Sequence, residues 1–133
     1  MAPDVVGPQR PARLVAVGLL DARDALECLR PPRPFGIFNI KLMKCGGIYN
    51  ALQIAAIAEA AGIPCMIGSM MECHLSVTAA AHLAAATSAI SIMDLDAPLF
   101  CSTNPVAGGI SYHGDEIVLP DEPGLGISGL KGS

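Results

Sequence analysis

Residues 37–48, Ile37-Phe38-Asn39-Ile40-Lys41-Leu42-Met43-Lys44-Cys45-Gly46-Gly47-Ile48, constrain this chain more than any other stretch. Read as a strand over Ile37 to Met43, the segment sends Ile40 and Leu42 to one face and Asn39, Lys41 and Met43 to the other. A lysine inside an apolar run is costly to bury unless something pairs or uses it. Gly46-Gly47 ends the strand, because glycine reaches backbone angles closed to other residues. A helical pattern begins directly after it. The unit is therefore strand, loop, helix, with a lysine near the carboxyl end of the strand. In α/β barrels that end carries the chemistry.

The same unit repeats downstream. Ile48, Ala51, Leu52 and Ala55 have the spacing of one helix face, Ala58 extends it, and Asn50, Gln53 and Glu59 can face water. Gly62 and Pro64 close this helix. Cys65-Met66-Ile67-Gly68 is long enough only for a strand, with Ser69 to Glu72 as its loop. Leu75, Ala79 and Leu83 mark an Ala-rich helix, and Ile90 to Met93 reads as a buried strand ending at Asp94-Leu95-Asp96. Upstream, Leu14 to Val17 is a candidate strand, and Asp21 can cap a helix over Ala22 to Leu29 with Asp24 near its start. Pro31-Pro32-Arg33-Pro34 stops that helix. Alternating strands and helices predict an α/β fold with a parallel sheet. After Pro98 the pattern changes to a hairpin, Ile110 to Tyr112 and Glu116 to Leu119, turning at Gly114.

Composition narrows the function. A full eight-stranded barrel takes about 250 residues, and the chain has 133. We expect a disordered leader over 1–13, a partial (β/α) barrel over 14–100, and a hairpin and tail over 101–133. Net charge is −4, and the five arginines all lie at or before Arg33, so no basic stripe marks a nucleic-acid site. The five cysteines lack Cys-x-x-Cys spacing and read as reduced thiols of a cytoplasmic protein. A zinc site on Cys73 and His74 is the weaker alternative. Leu75 to Met93 carries no formal charge, yet it is Ala-, Ser- and Thr-rich with His82 inside it, so no membrane span is expected.

Asn39-Ile40-Lys41-Leu42-Met43-Lys44-Cys45-Gly46-Gly47 resembles the sixth barrel strand of the enolase superfamily, in its mandelate racemase/muconate lactonizing branch. The similarity is greatest to dipeptide epimerases of the L-Ala-D/L-Glu type. Ile67-Gly68-Ser69-Met70-Met71-Glu72, Asp94-Leu95-Asp96-Ala97-Pro98-Leu99, Gly108-Gly109-Ile110-Ser111-Tyr112 and Pro123-Gly124-Leu125-Gly126-Ile127 fit in the same order. The resemblance implies the C-terminal portion of an enolase-type (β/α) TIM barrel, with a C-terminal β-hairpin tail. It implies an isomerase that moves a proton at the α-carbon of a dipeptide or related carboxylate, assisted by Mg2+.

By that resemblance Lys41 is the acid/base, Asp94 and Asp96 bind the amino terminus of the substrate, and Ser69 and Met70 line its pocket. Glu72 orients a neighbour or caps a helix. From the residues alone, simpler readings stand: Lys41 as a strand-end lysine reaching solvent, Asp94 and Asp96 as turn-forming aspartates at a solvated strand end. Two like charges that share a strand face do favour a cation between them, and a substrate ammonium suits. Lys44, on the opposite parity from Lys41, is expected to point toward the helices or the loop. One motif departs from the family. Its fifth strand ends in an Asp-Glu-Ser motif with a metal-binding Asp, whereas this chain reads Val15-Ala16-Val17-Gly18-Leu19-Leu20-Asp21. Magnesium ligands are thus not recognisable, and neither is the second catalytic lysine. The expected partners are a small-molecule substrate and either a second copy of the chain or a complementing N-terminal polypeptide. The rival readings are a non-catalytic, self-associating remnant and a small-ligand binding module.

Overall fold

A computed structural model describes residues 16–33 and 35–132. The expected leader over 1–13, together with Leu14 and Val15, lies outside the described residues. The fold opens with β1 (Ala16–Gly18) and α1 (Ala22–Cys28), then β2 (Ile37–Ile40), a single turn α2 (Leu42–Cys45) and α3 (Ile48–Ala60). There follow β3 (Cys65–Gly68), α4 (His74–Ala86), β4 (Ile90–Asp94) and a 3-10 turn over Ala97–Phe100. Four short strands complete it: β5 (Val106–Gly108), β6 (Ser111–His113), β7 (Glu116–Val118) and β8 (Ile127–Leu130).

Strands β1 to β4 form one parallel sheet in chain order, and helices separate them. Parallel neighbours require a crossover, so each helix carries the chain back and every strand of the sheet ends on the same side. The helices pack side by side, α1 on α3 and α3 on α4. Asp21 caps α1 through its carboxylate, which accepts the Arg23 and Asp24 amides. Asp24 in turn accepts the Leu20 amide, which closes a reciprocal cap. Phe38, Ile40, Ile67, Leu19 and Ile54 are fully buried between sheet and helices.

Three expectations are corrected. Strand β2 ends at Ile40, not Met43. Lys41 keeps extended angles, and the chain then turns into α2, which stops at Gly46 with φ +82°. The strand parity assumed for Leu42, Met43 and Lys44 therefore does not apply. The buried face of α3 is Ala51, Ile54, Ala55 and Ala58, while Ile48 and Leu52 are exposed. That face joins three alanines to Ile54, so Ile54 is its one bulky contact with the core. Strand β4 is buried only at Ile90, because it pairs with β3 on one side and, among the described residues, with no strand on the other.

The tail is tied to the barrel by side chains whose role the sequence hid. His74 Nε2 donates to the Ile110 carbonyl at 2.9 Å, and the Ile110 amide donates to Thr78 Oγ1 at 3.2 Å. Gly109 lies so close to α4 that a Cβ there would fall 2.7 Å from Thr78 Oγ1. Strands β6 and β7 form the expected antiparallel hairpin, turning at Gly114, whose φ is +67°. Strand β5 pairs with β8. All five cysteines are free thiols. No described helix is long and apolar enough to cross a membrane.

The packing makes three outcomes testable. Ile54→Ala should destabilise the fold by about 2–5 kcal/mol, and Leu52→Ala by less than about 1 kcal/mol, in urea unfolding followed by circular dichroism. The reverse order would return the buried face to Leu52. Burial pushes the Cys65 thiol up to about 11. Folding thus favours its neutral form. That contribution is complete below the ordinary thiol pKa and is lost as pH rises through about 11. Unfolding measured from pH 8 upward should show declining stability. At neutral pH, iodoacetamide should modify exposed Cys73 and Cys101 in the native chain, and buried Cys45 and Cys65 only after unfolding.

Candidate active site

The register of the sheet brings the sequence-selected residues together. Ile40 pairs with Ile67, and Gly68 pairs with Asp94, so the carboxyl ends of β2, β3 and β4 lie side by side. Lys41, Ser69 and Asp94 leave those ends in the same direction. With Met70, Met71, Asp96, Ala97 and Phe100 they line an open cavity of about 290 Å³.

Within it the Lys41 ammonium donates to the Ser69 carbonyl at 2.9 Å. Ser69 is itself fastened to β4: its amide donates to the Asp94 carbonyl at 3.0 Å, and its hydroxyl to the same oxygen at 3.2 Å. The lysine thus hangs on the backbone of the neighbouring loop. Asp94 and Asp96 form no ion pair with it, and among the described residues the ion pair present is Arg30 with Glu27. Both carboxylates are therefore available to a positively charged group entering the cavity.

The two aspartates reach the cavity by a route other than strand alternation. Asp94 is the last residue of β4, Leu95 turns inward and is buried, and Asp96 is already helical at the start of the 3-10 turn. The Tyr112 hydroxyl pins this turn by donating to the Leu95 carbonyl at 2.7 Å. Burial first, and the Asp96 carboxylate second, push the Tyr112 phenol up. Asp94 and Asp96 also border a second cavity of about 220 Å³, with Tyr112 and Asp115.

Glu72 is buried and holds the loop after β3. One carboxylate oxygen accepts the Met70 amide at 2.8 Å, and the other accepts the Ser76 hydroxyl of α4. Lys44 does not point at the helices. Its ammonium lies 3.5 Å from the position a Cβ would take on Gly18, over the end of β1, because α2 swings it across the mouth. Asn39 shares the mouth, and its Oδ1 is buried with no hydrogen-bond partner. Nothing in the sequence distinguished that oxygen.

The donor set does not suit magnesium. Mg2+ requires near-octahedral oxygen donors, usually carboxylates. Among the described residues no three His, Cys, Asp or Glu side chains are grouped to hold a metal. The end of β1 offers Gly18, buried Leu19 and exposed Leu20, and the Lys44 ammonium beside Gly18 repels a cation. Zinc on Cys73 and His74 fails the same test, since His74 is spent on the Ile110 carbonyl.

Comparison with known proteins places this geometry. The family model described as Enolase C-terminal domain-like matches residues 16–130. The L-Ala-D/L-Glu epimerase of Clostridium acetobutylicum is 56% identical over 99 residues, covering 74% of this chain and 28% of that protein. The L-Ala-D/L-Glu epimerase of Bacillus subtilis is 51% identical over 113 residues, covering 83% and 31%. The substrate-liganded structure of the Bacillus subtilis epimerase superposes with a TM-score of 0.82 at 47% identity, over 86% of this chain and 32% of that one. The dipeptide epimerase of Methylococcus capsulatus, complexed with Mg and the dipeptide L-Arg-D-Lys, also gives 0.82, at 42% identity over 87% and 33%. The chain thus spans 28% and 31% of the length of the two curated relatives. The four-stranded sheet is the C-terminal portion of an enolase-type barrel, and the chain belongs to the enolase C-terminal domain-like family.

Proposed function

We propose that this chain carries the lysine half of a dipeptide epimerase site. The observation that supports this most is the meeting of Lys41, Asp94 and Asp96 around one cavity at the ends of adjacent parallel strands. A dipeptide presents an ammonium at one end and an acidic α-carbon near the other. Asp94 and Asp96 receive the ammonium through charge-assisted hydrogen bonds. Met70, Met71 and Phe100 give the side chains of the substrate an apolar wall. Lys41, as the free amine, takes the α-proton on one face and becomes an ammonium. The Ser69 carbonyl, which already accepts from that nitrogen, holds the protonated form in place.

Inversion needs a second acid/base group on the opposite face of the α-carbon, and it needs the charge of the resulting ene-diolate to be met. The cavity is open, and among the described residues its lining holds no second lysine and no group of metal-binding carboxylates. Magnesium is named in the structure of a relative, yet the donors at this mouth do not form a site for it. The chain alone is accordingly inactive. It turns over substrate only when another polypeptide closes the mouth, a complementing N-terminal segment or a second copy.

The open edges support a second reading, a self-associating, non-catalytic module. Among the described residues, strands β1 and β4 each have no outer neighbour, and β4 exposes Ile92 and Met93, as the following turn exposes Phe100. Unpaired edges with apolar side chains template association.

Calorimetry with L-Ala-L-Glu, with and without Mg2+, tests the first reading. Binding is expected, and Asp96→Asn should weaken it by about tenfold or more, the loss of a charged hydrogen bond. In any complemented, active complex, Lys41→Ala should lower kcat by about 10²–10⁴. No binding in either condition, with concentration-dependent mass in sedimentation, would favour the self-associating module. Turnover by the purified chain alone, abolished by Lys41→Ala, would overturn its inactivity.

A further inference from the structure

Gly68 is the last residue of β3 and pairs with Asp94 in the sheet. It is not among the glycines with positive φ, so backbone freedom does not explain it. Its surroundings do. A Cβ on Gly68 would fall 2.8 Å from Asn39 Oδ1, 3.3 Å from Lys41 Cε and 3.5 Å from Asn39 Nδ2. The first distance is shorter than packed carbon allows, and at the second the lysine stem must give by a few tenths of an ångström while still reaching the next carbonyl along. That carbonyl is Ser69 O, which accepts from the Lys41 ammonium at 2.9 Å. The lysine therefore runs across the bare face of Gly68 to be caught one residue later. Asn39 is wedged against the same face with its buried Oδ1 unpartnered. An unsatisfied buried oxygen is unfavourable, so hydrogen bonding does not hold it there. It fills space beside the lysine stem.

We propose that Gly68 is a positioning residue for Lys41: the missing side chain is the slot that lets the ammonium reach Ser69 O. The proposal deepens the reading of Lys41 as acid/base, but the property it concerns is the placement of the amine. It is therefore tested without turnover or substrate, and a chain that binds no dipeptide would defeat the functional reading while leaving this test intact.

The chain has three lysines, Lys41, Lys44 and Lys131, so trace acetylation by acetic anhydride, mapped by mass spectrometry, reports each amine separately. In the unaltered chain Lys41 should react more slowly than exposed Lys131. Gly68→Ala should raise the Lys41/Lys131 ratio about fivefold, as loss of one hydrogen bond implies, with Lys44/Lys131 unchanged. Gly129→Ala, where a Cβ meets nothing within 4 Å, should alter neither ratio. An unchanged Lys41 ratio in a Gly68→Ala chain that still unfolds cooperatively overturns the proposal, as does an equal rise in Gly129→Ala. If Gly68→Ala does not fold, Asn39→Ala with Gly68→Ala removes the nearer contact and keeps the one to Lys41. That pair should show the same rise. An unaltered ratio, or a second failure to fold, would mean that residue 68 serves the fold and not the lysine.

Discussion

Parallel pairing of β1 to β4 is the constraint on which everything else depends. Parallel strands cannot be joined by tight turns, so the chain must return through a helix after each one. The returns place α1, α3 and α4 in one layer and leave all the carboxyl ends of the strands together. Residues 28 and more positions apart, such as Lys41 and Ser69, then meet within one hydrogen bond. The register decides which residues meet. A shift of one residue between β3 and β4 would turn the whole face of β4 and take Asp94 away from the Ser69 amide.

Side chains reinforce this arrangement from outside the sheet. His74 and Thr78 hold the segment entering the hairpin, and Tyr112, carried by that hairpin, holds the turn containing Asp96. The tail therefore reaches the candidate site through the backbone of Leu95. Glu72 does similar work on the other side, fixing Met70 to the first turn of α4. These contacts are short and local, yet each fixes a loop that borders the cavity. Loops supported in this way can present functional groups without a large core of their own.

The mouth combines two opposite charges without pairing them. Lys41 is satisfied by a carbonyl, while Asp94 and Asp96 keep their carboxylates open to the cavity. A direct salt bridge would neutralise both partners and leave less for a ligand. The backbone carbonyl of Ser69 orients the ammonium at no cost in charge. Lys44 at the end of β1 adds a second positive centre, which together with the lack of grouped carboxylates among the described residues disfavours a divalent cation there.

Much of this was legible in the sequence. Periodicity marked the strands and helices of the sheet. Asp21 marked the start of α1, and the motifs around Lys41, Ser69 and Asp94 identified the family. Periodicity could not rank Ile54 above Leu52 in α3, because the rotation of a helix about its axis is set by the elements it packs against and not by its own spacing. Nor could it show that β2 stops at Ile40, since a one-turn helix and a strand end have similar apolar patterns over four residues. The type and order of the elements, and the residues that carry charge, were determined by the sequence itself, through local propensity and the cost of burying polar groups. Which of those charges face one another, where Lys44 and Asn39 lie, and why residue 68 has no side chain were decided only by the tertiary structure. Those facts depend on distances between strands that sequence spacing does not encode.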